Sequence, residues 1–100
     1  SDLRPHPNVV LLYGVSLDPF CIVIEFCSGG ALEDKLYGKD APKTEFTMSN
    51  YHKIVMGTAK GVAHLHSESV VHRDLAARNV LLTESMSPKV TDFGMSRVGE

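Results

Sequence analysis

From Thr47 onward, Tyr51, Ile54, Val55, Thr58, Ala59, Val62 and Ala63 recur at intervals of three and four, the spacing that gathers apolar residues on one face of an α-helix. Thr47 or Ser49 can cap its start by accepting from an orphan backbone N–H, and the helix should end near Ser67. Gly57 and Gly61 interrupt the pattern at about 1 kcal/mol each relative to alanine, which predicts close packing against another element. Upstream the character changes. Residues 3–8 form a proline-punctuated loop in which a helix cannot continue. Val9 to Val15 and Phe20 to Cys27 are rich in branched and aromatic residues around Ser16-Leu17-Asp18-Pro19, the pattern of an antiparallel hairpin. Ser28-Gly29-Gly30 breaks the second strand, Ala31 to Tyr37 has the leucine spacing of a short helix, and Gly38 to Thr47 reads as a solvated loop. Val70-Val71, Val80-Leu81-Leu82 and Lys89-Val90-Thr91 are very short strand candidates. Helix and strand are therefore mixed along the chain.

Composition removes some classes of function. A formal charge of -2 and a pI near 6.2 give no electrostatic reason to expect a nucleic-acid partner or a polybasic membrane contact. The longest apolar run, Val9 to Tyr13, is far too short to cross a bilayer, and no basic-then-apolar leader opens the chain. Cys21 and Cys27 lie in one strand-like run, roughly 20 Å apart if it is extended and beyond the ~7 Å reach of a disulfide. Reduced thiols fit an intracellular setting, cytoplasmic or the cytoplasmic portion of a membrane receptor.

The chemistry-bearing residues cluster late. His72-Arg73-Asp74-Leu75, three further residues, then Asn79, followed thirteen residues later by Asp92-Phe93-Gly94, resembles the catalytic loop and metal-binding turn of protein kinases. The resemblance implies an α+β, two-lobed kinase fold. Residues 1–27 would supply small-lobe strands and the start of the hinge, and residues 28–100 the rest of the hinge, large-lobe helices, catalytic loop and start of the activation segment. It also implies ATP with Mg²⁺ or Mn²⁺, and a protein substrate.

Phosphoryl transfer needs in-line positioning and neutralised charge more than covalent help, which explains the residue types. On the resemblance, Asp74 is the base that orients the substrate hydroxyl and takes its proton. Asn79 and Asp92 offer hard oxygen ligands for the metal. Ala76 stands where serine/threonine kinases usually carry lysine, and Arg78, four places after Asp74, matches the Ala-Ala-Arg pattern of many tyrosine kinases. That favours tyrosine as acceptor. Arg4-Pro5-His6-Pro7-Asn8-Val9-Val10 resembles the tyrosine-kinase-like group at least as well, so serine/threonine or dual specificity stays open. Arg73 resembles an arginine that clamps a phosphorylated activation segment, while His72 and Phe93, with Leu12, resemble a hydrophobic stack between lobes.

For the nucleotide, Cys21 to Gly30 resembles the strand and hinge between lobes. Adenine would bond to main chain around Glu25 and Cys27 beside the small Gly30, with Ile24 as gatekeeper, Leu81 under the ring and Asp34 on the ribose. Outside that set, His64-x-His66 points two rings in different directions on a helix, Cys27 reads as a buried inert thiol, and Met48, Met56 and Met86 as core or loop filler. The chain begins without methionine and stops at Glu100, so it reads as a fragment without the glycine-rich loop, strand lysine, helix glutamate or Ala-Pro-Glu motif. Such a fragment should be marginally stable and inactive by itself, with the 51–63 face partly exposed. A pseudokinase or scaffold remains the alternative from another functional class.

Overall fold

Thr47 opens the longest element, its Oγ1 accepting from the Asn50 N–H at 3.0 Å, and the helix runs Met48–Ser67. In the computed structural model, which describes residues 4–39, 41–70 and 74–91, this helix (α2) packs on a small sheet. It is preceded by β1 (Leu12–Leu17), β2 (Phe20–Ile24), β3 (Gly30–Ala31) and α1 (Leu32–Leu36), and followed by β4 (Val80–Leu82) and β5 (Pro88–Val90). Single 3₁₀ turns lie at Ala41–Lys43 and Ala77–Asn79.

β1 and β2 make an antiparallel hairpin, with Gly14 opposite Val23 and Leu17 opposite Phe20. The hairpin is shorter than its apolar sequence on both strands at its open end, and β1 runs on to Leu17 at the turn. Val9 and Val10 leave β1 because their backbone serves the other sheet: Val9 bridges Val90 in parallel, and the Val10 N–H donates to the Val90 carbonyl at 3.0 Å. On the neighbouring strand, β2 ends at Ile24, and the 27–30 turn, closed by the Gly30 N–H on the Cys27 carbonyl at 3.1 Å, takes the chain away before Cys27. The hairpin's apolar side chains stay largely in solvent, Phe20 and Leu17 most of all.

The second sheet has the order β3-β4-β5, all antiparallel neighbours. Successive strand residues face opposite sides, and the burial alternates accordingly. Val80, Leu82, Pro88 and Val90 are buried, whereas Leu81 and Lys89 are intermediate. Val9, Leu65, Val70 and Val90 form the core cluster, with Val62 packed against it. Each such branched side chain contributes about 1.5–3 kcal/mol when fully removed from water.

α2 meets this sheet through Gly57 and Gly61, with Ile54 and Val62 of its apolar stripe beside them. Ile54, Gly57, Gly61 and Leu65 are buried, whereas Tyr51 and Val55 are exposed. The reason is steric. A Cβ on Gly57 would lie 2.5 Å from Pro88 Cγ, and one on Gly61 would lie 2.5 Å from the Asn8 carbonyl oxygen. Two glycines let strand and loop backbone approach the helix more closely than any side chain permits. Much of the stripe, from Ile54 to Ala63, lines an open groove of about 730 Å³ with Leu32, Leu75 and Val80, leaving the 51–63 face partly exposed. Met48 and Met56 are exposed rather than filling the core, and Met86 sits in the β4–β5 turn at φ 68. Among the described residues no helix is long and apolar enough to cross a membrane.

Candidate functional site

The 3₁₀ turn Ala77–Asn79 delivers the chain into β4, and this places Asn79 under Asp74. Asn79 is buried at 4% exposure. Its Nδ2 donates to the Asp74 main-chain carbonyl at 2.6 Å and to Asp74 Oδ2 at 3.2 Å. The second carboxylate oxygen, Oδ1, accepts from Arg78 Nη2 at 2.6 Å. Three residues separated by four and five positions thus close into one unit around a single carboxylate. Both side chains of the Arg78–Asp74 pair are more than half exposed, so the pair adds little stability; its consequence is orientation.

Each carboxylate oxygen has about two acceptor directions, and Asn79 and Arg78 take one on each. Both bonds from Asn79 use the amide nitrogen, which turns the neutral carbonyl oxygen into the atom available for a hard cation. The Thr91 N–H donates to the Asn79 carbonyl at 2.9 Å, extending the β4–β5 ladder by one step to the residue before Asp92. An amide oxygen and a carboxylate suit Mg²⁺, and the Asn79 half of that donor set has the required chemistry. Asp92, Phe93, His72 and Arg73 lie outside the described residues.

Of the candidate nucleotide residues, Gly30 and Leu81 lie on the sheet that Asn79 leads into. Gly30 pairs with Leu82 and Ala31 with Leu81, while Leu81 pairs across to Lys89. Ala31, Leu81 and Lys89 therefore form one row on the face opposite the core. The 27–30 turn is pressed onto β4: the Gly29 N–H donates to the Leu82 carbonyl at 2.8 Å, and a Cβ on Gly29 would meet the Thr83 carbonyl oxygen at 2.6 Å. Gly30 has φ +74, a conformation that glycine adopts without strain. Cys27 is buried, and burial followed by the Glu25 charge pushes its thiol up from the ordinary cysteine range, with Lys89 opposing. This suits an inert protonated thiol. Ile24 is exposed at the end of β2 opposite Leu12, and Asp34 lies in the first turn of α1.

Two site-shaping contacts escape sequence reasoning. Lys89 Nζ lies 3.1 Å from Glu25 Oε2, and the Leu11 N–H donates to Glu25 Oε1 at 3.0 Å. Glu25 is separated from Lys89 by 64 residues, and no local spacing announces such a pair. His64 is accounted for by contacts with the amino-terminal loop: its Nε2 is 2.7 Å from the Arg4 carbonyl oxygen, and its ring stacks on His6 at 4.8 Å.

The sequence likenesses agree with this geometry. The family described as protein tyrosine and serine/threonine kinase matches residues 1–100. A probable LRR receptor-like serine/threonine-protein kinase of Arabidopsis thaliana is 38% identical over 95% of this chain and 10% of its own length. A probable serine/threonine-protein kinase of Dictyostelium discoideum is 40% identical over 98% of the chain and 10% of its own length. Spermatocyte protein spe-8 of Caenorhabditis elegans is 44% identical over 94% of the chain and 18% of its own length. The chain thus spans between a tenth and a fifth of these relatives. With the match running over every residue and Asp74, Arg78 and Asn79 assembled into one cluster, the chain belongs to the protein tyrosine and serine/threonine kinase family.

Proposed function

We propose that this chain carries the catalytic loop and much of the nucleotide site of an ATP-dependent kinase that phosphorylates a protein hydroxyl, with tyrosine preferred. The observation that carries the reading is the closure of Asp74 by Arg78 and Asn79. Asp74 accepts the hydrogen bond of the acceptor hydroxyl, aligns its oxygen and takes its proton as that oxygen bonds to the γ-phosphorus and the bond from the γ-phosphorus to the bridging oxygen breaks, releasing ADP. Arg78 holds the carboxylate in one rotamer and brings a cation to the place where the transferring group arrives. Asn79, with Asp92, would hold a magnesium ion, which would neutralise charge on the phosphates of ATP. Glu25, Cys27, Gly30 and Leu81 bind adenine, Ile24 closes the space behind it, and Asp34 takes the ribose.

Tyrosine preference rests on Ala76, which leaves no lysine beside the base, and on Arg78 supplying the cation from another position. The names of the Arabidopsis and Dictyostelium relatives favour serine or threonine instead, and that is the second reading. A cytoplasmic placement accords with the free cysteines. Phosphoamino-acid analysis of products made by the full-length protein tests the choice: phosphotyrosine is expected, and phosphoserine or phosphothreonine alone would refute the preference. Asp74→Asn should lower the transfer rate by at least about 10²-fold. A smaller loss would remove Asp74 from the role of base, and absence of transfer by the wild type would place the protein among binding scaffolds. The hundred residues by themselves should show no Asp74-dependent transfer, because the apolar stripe of α2 then stands open to water.

A further inference from the structure

Glu25 is held from three directions. Its N–H donates to the Leu11 carbonyl at 2.8 Å, its Oε1 accepts from the Leu11 N–H at 3.0 Å, and its Oε2 meets Lys89 Nζ at 3.1 Å. The first two ties join it to the neighbouring segment; only the third reaches the other sheet. The Glu25 and Lys89 side chains are 25% and 15% exposed, so solvent screens this pair far less than the Arg78–Asp74 pair. Lys89 sits opposite Leu81 on β5, two residues before Thr91, whose N–H donates to the Asn79 carbonyl.

We propose that the Glu25–Lys89 ion pair sets the position of the 25–27 main chain relative to Leu81 and β5, making Lys89 a positioning residue for nucleotide affinity. This rests on the reading that adenine binds the main chain at Glu25 and Cys27. The β1–β2 hairpin and the β3-β4-β5 sheet are separate sheets, so their mutual placement depends on ties between them: the Val10 N–H on the Val90 carbonyl ahead of β1, the Gly29 N–H on the Leu82 carbonyl beyond Cys27, and the Glu25–Lys89 pair at the 25–27 segment itself. An adenine ring bonded to the 25–27 backbone and resting on Leu81 needs that placement to hold within a fraction of an ångström. The ion pair is a direct link between the residue that contributes main chain and the strand that flanks Leu81. Lys89 touches neither the ring nor the reacting atoms; its effect passes through Glu25.

In the full-length protein, Lys89→Met keeps the aliphatic stem and removes the charge. The KM for ATP should rise roughly tenfold, while kcat at saturating ATP falls by less than about threefold, because once nucleotide is bound the Asp74 cluster is intact. Lys89→Arg should restore KM to within about twofold of wild type, since its guanidinium can reach the same carboxylate. Glu25→Gln, which keeps an acceptor for the Leu11 N–H, should raise KM by a similar factor and should not add to Lys89→Met in the double variant. Loss of folded protein alone would lower apparent kcat and leave KM in place. Hydrogen exchange at Phe26 and Cys27, with and without ADP, separates the two levels of inference. Absence of ADP-dependent protection in the wild type overturns both this proposal and the adenine reading. Protection in the wild type with an unchanged KM in Lys89→Met and Glu25→Gln overturns the positioning role alone.

Discussion

The Asn8 carbonyl oxygen occupies the space that a Cβ on Gly61 would need, 2.5 Å from where that atom would stand. The same carbonyl accepts from the Val90 N–H at 2.8 Å, and Asn8 Nδ2 donates to the Pro88 carbonyl at 2.9 Å. One loop residue is thus clamped between the helix and β5. Gly61→Ala would gain up to about 1 kcal/mol of helix propensity but must displace backbone that is already hydrogen-bonded, a cost of about 1–3 kcal/mol. The net outcome is a destabilised protein. Urea denaturation should show a lower midpoint with unchanged slope, and a midpoint at or above wild type would refute the tight approach.

Asn79→Asp tests the cluster by charge. It removes both donations from Nδ2 and sets a second carboxylate against Asp74. A loss of about 1–3 kcal/mol in stability is expected from the unsatisfied carbonyl and the like-charge contact, together with a large fall in phosphoryl transfer. Asn79→Asp with wild-type stability would mean that Asp74 is oriented by Arg78 alone.

The His6 ring predicts a pH dependence. Its Nδ1 accepts from the Asn8 N–H at 3.0 Å, which requires that nitrogen to be unprotonated. Burial is the main cause holding its pKa below the ordinary histidine value, with further lowering from His64, Lys60 and Lys89. The folded state therefore binds fewer protons at His6 than the unfolded state does. Stability is greatest above about pH 6.5 and declines as pH falls from there through the depressed folded value. Glu68 acts in a lower window: the Arg4 N–H and guanidinium hold its carboxyl below the usual range, so its contribution is lost only below about pH 4.3. Thermal midpoints at pH 7.5 and 5.5 should differ in the wild type and differ less in His6→Gln. An equal difference in both proteins would exclude His6 as the source.

The two thiols should react at different rates. Cys21 is exposed, whereas Cys27 is buried with its thiol shifted toward the protonated form. Alkylation by iodoacetamide at pH 7.5, followed by peptide mass spectrometry, should modify Cys21 at least ~10-fold faster. Comparable rates would contradict the burial of Cys27.

Short-range chemistry accounts for what was legible beforehand. Thr47 as cap, the α2 helix, the break at Ser28-Gly29-Gly30 and the β4–β5 ribbon follow from spacing, capping and turn residues that act within a few positions. Asp74, Arg78 and Asn79 stand out as candidates from the motif, and the structure adds that one turn of chain bonds them to each other around the Asp74 carboxylate. The close approach at Gly57 and Gly61 is also local in origin, since two glycines interrupting an apolar helix mark it; that Pro88 and Asn8 are the residues that fill it is not legible nearby in the chain.

By itself, then, the sequence determined the family, the local elements and the identity of the candidate site residues, all of which are written in near neighbours. The tertiary structure alone decided that Pro88 and Asn8 fill the approach at Gly57 and Gly61, why Val9 and Val10 abandon the hairpin for Val90, and how Glu25 reaches Lys89. Those outcomes depend on backbone approach and charge pairing between segments far apart along the chain, which only three-dimensional packing brings within contact distance.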